Sequence, residues 1–320
     1  EGALISEYYK ETTDHDVIFV GDCEVYENFS PITMWEDYGI TSYIRGSAQQ
    51  LIWQSYYLLE ETLEYEKPEA VVFNVLSMKY DTPQKEAYNR MTLDGMKWSK
   101  SKVDDIRASM MEDEEFADYV FPILRYHSRW QELTSDDFKY LFTRRPVSQS
   151  GYYMRIDVKP AQTFPKPKKL ANYEFGENSW KYLEKMRKLC EEKGIQLILV
   201  KAPSLYPAWY DEWEDQIEEY AKTYELPYYN FLELTDEVGI DFTKDTYDGG
   251  LHLNLSGAEK MGAYFGKILR EEFRVPDRRN DEKIASVWAE KCAAYYDMEK
   301  RQQEELDTYG YLKMFNSDKE

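Results

Sequence analysis

Short, continuously apolar runs recur along the chain, and each is followed by polar or small residues. The runs cover residues 16–20, 41–44, 70–75, 196–200 and, more weakly, 227–231. Continuous apolarity without alternation is typical of strands that are buried on both faces of a parallel sheet. Between these runs, apolar residues fall at helical spacing within 52–63, 183–190, 209–224 and 261–268. The alternation predicts an α/β fold with a mostly parallel sheet and right-handed crossovers. Ser256 and Glu259 further predict a capping box that opens the last of these helices.

Two segments lie outside this alternation. From about 80 to 169 the chain is polar and mostly helical in character, and prolines gather towards its end. So long an insertion after the third strand predicts a lid or cap over the carboxyl edge of the sheet. The tail beyond Pro276 is charged and helix-prone, and we expect it to pack on the outside of the core. The sequence therefore predicts an α/β domain over 1–275, carrying this insertion, and a helical extension over 276–320.

Composition excludes several classes of protein. The 320 residues include 61 acidic and 40 basic side chains, which gives a formal net charge of −21. With no basic stripe in the sequence, this charge argues against nucleic acid and against direct binding to an anionic membrane surface. The apolar runs are too short for a membrane-spanning helix. Three widely spaced cysteines argue against a disulfide framework and a structural zinc site, so we expect no metal or cofactor.

Candidate chemistry lies where the predicted strands end, because ligands of an open parallel sheet bind beyond the carboxyl ends of its strands. These ends are followed by Gly21-Asp22-Cys23-Glu24, by Gly46-Ser47, by the stretch 74–77 and by Lys201. Cys190 and Cys292 lie on predicted helices, where a cysteine is usually a small buried apolar residue. Cys23 is therefore the candidate nucleophile among the three cysteines.

The three histidines differ in their predicted positions. His15 precedes the first strand and belongs to the amino end of the sheet, and His127 falls inside the insertion, where we expect a surface or packing role. His252 lies in a loop that leads into the last helix, at the edge where ligands bind. Because histidine is the side chain best suited to general-base chemistry near neutral pH, His252 is the candidate base.

The order of these motifs resembles the SGNH/GDSL hydrolase superfamily, in particular its bacterial branch of cell-surface polysaccharide and teichoic-acid O-acylation proteins. The motifs are Gly-Asp-Cys at 21–23, glycine at 46, and His-Leu-Asn at 252–254, with an aspartate shortly before them. The resemblance spans roughly 16–75 and 194–273. It implies a flavodoxin-like three-layer α/β/α fold.

The resemblance also implies roles for single residues. Cys23 matches the nucleophilic serine of the family, and His252 matches its catalytic base. The N–H of Gly46 would donate to an oxyanion together with the N–H that follows the nucleophile. The site so implied needs no cofactor.

The chain departs from the family pattern at three places. A cysteine replaces the serine at position 23. The family places its acid three residues before the histidine, where this chain has Gly249, and Asp248 lies one residue further away. The asparagine of the third block falls by spacing near 77 or 78, whereas Asn74 lies earlier, inside the predicted strand. Asn74 is nevertheless the candidate for that block's part in oxyanion or substrate binding.

These departures are compatible with acyl chemistry. A thiol with an ordinary pKa of about 8.5 is activated by a histidine partner, and the third group of a triad mainly orients the imidazole. Glu24 either takes the place of the displaced acid or caps a helix. Arg45 and Lys201 flank the predicted cleft, where they either bind an anionic substrate or remain solvated charges.

The leading hypothesis is an SGNH-like esterase or O-acyltransferase that acts on acyl esters of carbohydrate or other cell-envelope material. Cys23 attacks the acyl carbonyl, His252 transfers the proton, Asp248 orients the imidazole and Gly46 helps to hold the oxyanion. The alternative is a catalytically weakened SGNH-like domain that binds polysaccharide or serves as an assembly subunit. An intracellular thioesterase is a weaker third alternative.

The resemblance also implies partners and a location. The expected partners are an acylated carbohydrate or small ester and a membrane-bound acylation protein. The chain starts at Glu1 rather than methionine. Together with the family branch, this leads us to expect an extracytoplasmic protein anchored by an N-terminal segment that precedes this chain.

Overall fold

The computed structural model describes residues 2–121, 146–162 and 166–315, and a parallel sheet lies at its centre. Five strands within these ranges form the sheet in the order β2-β1-β3-β4-β5, and every neighbouring pair is parallel. The strands are β1 (Val17–Gly21), β2 (Ser42–Gly46), β3 (Ala70–Asn74), β4 (Gln196–Lys201) and β5 (Tyr228–Asn230). This is the strand order of a flavodoxin-like sheet, so the predicted fold class is confirmed.

Helices surround the sheet and account for most of the remaining regular structure. In chain order they are α1 (Ala3–Glu7), α2 (Cys23–Tyr26), α3 (Pro31–Tyr38), α4 (Ile52–Thr62), α5 (Glu86–Leu93), α6 (Lys100–Ser109), α7 (Phe116–Val120), α8 (Glu177–Lys193), α9 (Asp211–Thr223), α10 (Thr235–Val238), α11 (Leu255–Glu271) and α12 (Glu282–Tyr309). Short 3-10 turns cover Tyr8–Lys10, Val75–Lys79 and Lys313–Phe315. Within the described ranges, no helix is both long enough and apolar enough to cross a bilayer.

The two faces of the sheet are covered by different helices. Val17 and Phe19 of β1 pack with α3, α11 and α12, whereas Ile18 and Val20 pack with α4, α8 and α9. Successive side chains of a strand point to opposite faces, so a run of apolar residues is needed to bury both sides. This three-layer arrangement is the reason why the strands carry no polar alternation.

The cap of α11 differs from the prediction. Asn254 is the capping residue, and its side-chain oxygen accepts a hydrogen bond from the N–H of Gly257 at 3.3 Å. Ser256 lies two residues beyond this cap, inside the helix, and its hydroxyl donates instead to Asp245 at 2.8 Å. The predicted capping box at Ser256 and Glu259 is therefore wrong. A cap at Ser256 would start the helix at residue 257, whereas the helix begins at Leu255.

The insertion after β3 has two described parts. Helices α5 to α7 pack with α1 and α4 around a small separate core that includes Leu93, Ile106 and Tyr119. Residues 146–162 form an extended stretch, which we call the edge segment. Its main chain forms hydrogen bonds with the main chain of Ile44 in β2, of Tyr26 in α2 and of the loop before α11. The centre of the predicted lid, with His127, lies outside the described residues.

The C-terminal tail forms the long helix α12, as predicted. Trp288 is fully buried and stacks on Trp35 of α3, with ring centroids 5.1 Å apart and an interplanar angle of 22°. Tyr295 is buried as well, and its hydroxyl donates to Glu259 of α11 at 2.9 Å. The tail is thus an integral part of one helical layer.

Candidate functional site

Cys23 lies at the carboxyl end of the central strand β1. The strand ends at Gly21, and Asp22 caps the following helix by accepting a hydrogen bond from the N–H of Glu24 at 3.1 Å. Cys23 is the first residue of α2 and remains partly exposed. Cys190 is fully buried in α8, as predicted, and Cys292 is partly buried in α12. Cys23 is therefore the cysteine that the fold places at the edge where ligands bind.

His252 is held at the same edge by the loop that precedes α11. Gly249 and Gly250 have φ values of 89° and 104°, a conformation that other residues rarely adopt, and they turn the chain back on itself. Asp248 caps this turn, because one of its oxygens accepts from the N–H groups of Leu251 and His252 at 3.1 and 2.9 Å. The loop thereby folds Asp248 onto the histidine that follows it.

The Nδ1 side of the imidazole is surrounded by acceptors. Nδ1 of His252 donates to the second carboxylate oxygen of Asp248 at 2.7 Å, and Oε2 of Glu27 lies 3.2 Å from the same nitrogen. Tyr247 stacks on the imidazole and donates its hydroxyl hydrogen to Glu27. The displaced acid of the motif therefore reaches the histidine in spite of its extra residue of spacing.

The other imidazole nitrogen, Nε2, and the Cys23 thiol complete the surroundings of His252. Nε2 of His252 is buried and makes no hydrogen bond of ordinary geometry with any residue in the described ranges. The Cys23 thiol is close enough to interact with the ring: the imidazole opposes the rise in the pKa of the thiol, and the thiolate raises that of the imidazole. An imidazole that is anchored through Nδ1 and free at Nε2 has the orientation of a general base in a nucleophile-His-acid triad.

Charge and burial determine the protonation of this pair. Burial, with a smaller contribution from Asp22, raises the pKa of Cys23 to about 11. Burial alone would lower the pKa of His252, but the carboxylate of Glu27 and the hydrogen bond to Asp248 raise it well above its ordinary value. Both shifts favour a neutral thiol beside a protonated imidazole.

Gly46 lies in β2, the strand that pairs with the one leading to Cys23. It ends β2 in register with Gly21, and a Cβ at this position would come within 2.9 Å of Val25 in α2 and 3.0 Å of the Gly21 carbonyl. Close approach of two main chains at this point requires a residue without a side chain. The predicted oxyanion residue is thus brought beside the helix that starts at Cys23.

Asn74 and Glu24 belong to a buried polar network next to Cys23. The Nδ2 group of Asn74 donates to Asp22 at 3.1 Å and to Glu24 at 2.9 Å, and its Oδ1 accepts from the N–H of Ala202 at 3.0 Å. The ammonium group of Lys201 lies 3.0 Å from Glu24, and both side chains are fully buried. Burial and the neighbouring Glu24 raise the pKa of Asp22 to about 6. Neither Glu24 nor Lys201 reaches His252, so their predicted roles as acid and substrate ligand have no geometric support.

Arg45 is held away from the site on the other face of the sheet. Its guanidinium donates to Glu61 at 3.2 Å and to the hydroxyl of Thr62 at 2.8 Å, and it lies over the ring of Tyr8 at 4.2 Å. The residue is only 1% exposed. A buried cation that is paired with an acid in this way serves packing, so the structure does not bring Arg45 to the candidate cleft.

Sequence reasoning missed Glu27 and Tyr247. Glu27 is four residues after Cys23, and this spacing places both residues on one face of a helix. Tyr247 directly precedes Asp248. The helical spacing was a usable signal for Glu27, but nothing in the sequence indicates that its carboxylate meets a histidine 225 positions later.

The surroundings of the site offer space but no metal centre. Within the described part of the chain, no group of three or more His, Cys, Asp or Glu residues is arranged to hold a metal ion. A largely apolar cavity of about 300 Å³ has Tyr26, Ser47 and Tyr153 in its wall, whereas Cys23 and His252 do not line it. Tyr26 is three residues after Cys23, and Ser47 directly follows Gly46. The edge therefore combines a thiol, a histidine and an acid, and the cavity is linked to it only through chain neighbours of Cys23 and Gly46.

Comparison with known proteins does not assign this arrangement to a family. No model of a protein family matches the chain, and no curated protein matches it significantly.

Proposed function

We propose that this protein is an SGNH-like acyl-ester enzyme, an esterase or O-acyltransferase, that forms a thioester on Cys23. The observation that carries the proposal is the cluster at the carboxyl edge. Cys23 interacts there with an imidazole whose Nδ1 is held by Asp248 at 2.7 Å and whose Nε2 is without a partner among the described residues. The order of roles is that of a Cys-His-Asp triad.

The first half of the reaction transfers the acyl group to sulfur. Loss of one proton from the neutral thiol and protonated imidazole leaves a thiolate beside an imidazolium. The thiolate attacks the carbonyl carbon, a C–S bond forms, and the C–O bond to the alcohol breaks as Nε2 of His252 gives its proton to the departing oxygen. Asp248 keeps the ring oriented and stabilises its positive charge during this step.

The second half releases the acyl group. Nε2, now without a proton, accepts one from water or from a sugar hydroxyl, and the oxygen of that group attacks the thioester carbonyl. The C–S bond breaks, and the thiolate with its imidazolium is restored. Water gives an esterase and a sugar hydroxyl gives an O-acyltransferase.

Stabilisation of the oxyanion depends on Gly46 in this proposal. The N–H of Glu24, which follows the nucleophile, donates to Asp22 at 3.1 Å, and the Asn74 amide donates to Asp22 and Glu24. Two of the donors that the resemblance would supply are therefore engaged with carboxylates. Loss of one such donor lowers kcat by about 100- to 1,000-fold in a serine protease, so a slow enzyme is expected.

The same observation favours a second candidate function. With two oxyanion donors engaged and a protonated imidazole favoured, the domain also fits a catalytically weakened module that binds polysaccharide or serves as an assembly subunit.

The proposed substrate of the enzyme is an acyl ester of a carbohydrate or of other cell-envelope material, with a membrane-bound acylation partner and an extracytoplasmic location. These extensions rest on the motif resemblance alone.

Covalent labelling separates the two candidates. The protein is incubated with p-nitrophenyl acetate at alkaline pH, and acetylation is mapped by intact and peptide mass spectrometry. The enzyme proposal predicts one acetyl group on Cys23 that is absent in Cys23→Ala and strongly reduced in His252→Ala. Cys292→Ala is the matched control, because it removes another partly exposed thiol away from the site.

The opposite result would overturn the enzyme proposal. A folded protein that shows neither acetyl-Cys23 nor turnover of esters leaves the binding module as the function. Equal acetylation of Cys23 and Cys292 would mean that the site does not activate its thiol.

A further inference from the structure

Glu27 is a second carboxylate on the imidazole, and no part of the triad requires it. Its Oε2 lies 3.2 Å from Nδ1 of His252, on the same side as Asp248, and its side chain is almost completely buried. Tyr247 donates its hydroxyl hydrogen to this carboxylate. A triad uses one acid to hold Nδ1, so the second carboxylate adds charge without adding orientation.

We propose that Glu27 is a positioning residue that restrains the Cys23–His252 pair: its carboxylate holds the imidazole of His252 in the protonated form, in which it cannot accept the proton of the thiol, and so sets the pH range in which the pair becomes reactive. The inference deepens the proposed function, because it assigns a control of reactivity to the same site. It concerns the thiol and the imidazole directly, and it can therefore be tested without an ester substrate.

The titratable and charged neighbours of His252 come from its own loop, from α2 and from the residue before α2. Asp248 and Tyr247 come from its own loop, Glu27 and Cys23 from α2, and Asp22 lies just before α2. Among the described residues, the remaining titratable groups near Glu27 are Tyr26, Tyr152, Tyr153 and Arg155. Arg155 is occupied by Asp157 at 2.7 and 2.9 Å and lies over the ring of Tyr247 at 4.2 Å. It partly offsets the charge of Glu27, but Arg155 forms its ion pair with Asp157 rather than with Glu27.

The sign of the effect follows from two interactions that act together. A negative charge at Glu27 stabilises the imidazolium, so the pKa of His252 rises. The same charge disfavours a thiolate, so it also contributes to the rise in the pKa of Cys23. Both effects retain a proton on the pair, so removal of the charge lowers the pH at which the pair loses its first proton.

The size of the shift follows from the distance. An opposite charge within about 4–6 Å changes a pKa by about 1–3 units in proteins. Part of this is offset here by burial, which raises the pKa of Glu27 itself and leaves it less fully ionised in mild acid. We therefore expect the pKa of the His252 imidazole to fall by about 1–2 units in Glu27→Gln. The alkylation onset of Cys23 should fall by less, because Glu27 is the smallest of the contributions named for the rise in the pKa of the thiol.

The main experiment measures the alkylation of Cys23 by iodoacetamide between mild acid and alkaline pH, with peptide mass spectrometry to identify the modified cysteine. The variant is Glu27→Gln, which keeps the shape and an acceptor oxygen for Tyr247. Glu271→Gln is the matched control, because it removes one carboxylate from the exposed end of α11. The pH onset should move down for Glu27→Gln and stay in place for Glu271→Gln.

A second measurement isolates the imidazole. In Cys23→Ala and in Cys23→Ala/Glu27→Gln, the pKa of His252 is read from the pH dependence of its ring signals by NMR, with thermal unfolding as a check on the fold. A lower pKa in the second protein is the expected result. An unchanged pKa of His252, or an unchanged alkylation onset in a folded Glu27→Gln protein, would overturn the inference. Failure of ester turnover alone would count against the proposed function and leave this inference standing.

Discussion

Removal of Lys201 tests whether the polar network beside Cys23 is structural. Lys201 and Glu24 form an ion pair at 3.0 Å, and both side chains are fully buried. The sequence allowed both residues to act at the site, as a substrate ligand and as a substitute acid. The structure instead predicts that each exists to neutralise the other, so that the loss of one partner leaves a buried charge uncompensated.

The magnitude can be worked out from the geometry. At 3.0 Å the gross attraction of two unit charges is about 5 kcal/mol for an effective dielectric constant of about 20. Most of this compensates for the desolvation of the two groups, and removal of one partner of a buried pair typically costs about 3–5 kcal/mol. Lys201 also donates to the carbonyl of Ala202 at 2.6 Å, a contact that is lost as well. We therefore expect Lys201→Met to lower the free energy of unfolding by about 4 kcal/mol.

Urea unfolding followed by circular dichroism measures this free energy, and a double-mutant cycle separates the pair from its parts. Glu24→Gln/Lys201→Met replaces both charges. Its free energy of unfolding should exceed that of Lys201→Met alone by about 2 kcal/mol or more. Lys188→Met is the matched control. The Lys188 side chain is 60% exposed, and its ion pair with Glu184 at 3.2 Å should contribute less than about 1 kcal/mol.

Two results would refute this reasoning. If Lys201→Met unfolds at the same urea concentration as the parent protein, the charge is not buried as described. If the double variant loses the sum of the two single losses, the two charges do not compensate each other. A loss of ester turnover by Lys201→Met at unchanged stability would return Lys201 to the candidate substrate ligands.

Three further predictions address the site, the amino edge and the helical layer. Asp248→Asn should lower kcat/KM for an acetyl ester by about 100-fold or more, because the imidazole of His252 loses its orienting acid; an unchanged kcat/KM would exclude that role. Burial alone would lower the pKa of His15, but its interactions with the carboxylates of Glu11 and Glu66 outweigh burial and raise it. Its stabilising effect is present below the unfolded-state pKa of about 6.5 and is lost as pH rises through the higher folded-state value. His15→Gln should therefore cost more stability in urea at about pH 5.5 than at about pH 9, and an equal loss at both would contradict the ion pairing. Trp288→Ala should lower the free energy of unfolding by about 3–5 kcal/mol, because the buried indole and its stack on Trp35 are lost; a loss below about 1 kcal/mol would show that α12 is not part of the core.

Much of the fold follows from local patterns in the sequence. The strands are buried on both faces, so their apolar runs are continuous and easily separated from the helices, as at Val17–Gly21. The candidate pair Cys23 and His252 was predictable for a related reason. A parallel sheet brings the ends of its strands, and the loops behind them, to one edge whatever their separation in the chain.

The pairing of polar side chains was not predictable in the same way. Charged residues at strand ends are usually exposed to solvent, yet Arg45 and Lys201 are both buried against acids. Glu24, the acid that meets Lys201, lies 177 positions away in the chain, and no local period encodes such a meeting. Buried ion pairs depend on the way in which layers pack, which a single sequence does not display.

The acid of the site shows why spacing in a motif is weaker information than the conformation of the loop that carries it. Asp248 lies four residues before His252, which departs from the spacing of three in the family pattern that the sequence resembles. The glycine pair at 249 and 250, with φ values of 89° and 104°, makes a turn tight enough to return the carboxylate to Nδ1 at 2.7 Å. The loop is further fixed from two other elements, because the side chain of Asn28 accepts from the N–H of Leu253 at 2.9 Å and the N–H of Leu205 donates to Gly250 at 2.7 Å. What the chemistry requires is an acid on Nδ1, and a loop of different length can supply it where glycine conformation and neighbouring contacts hold the turn.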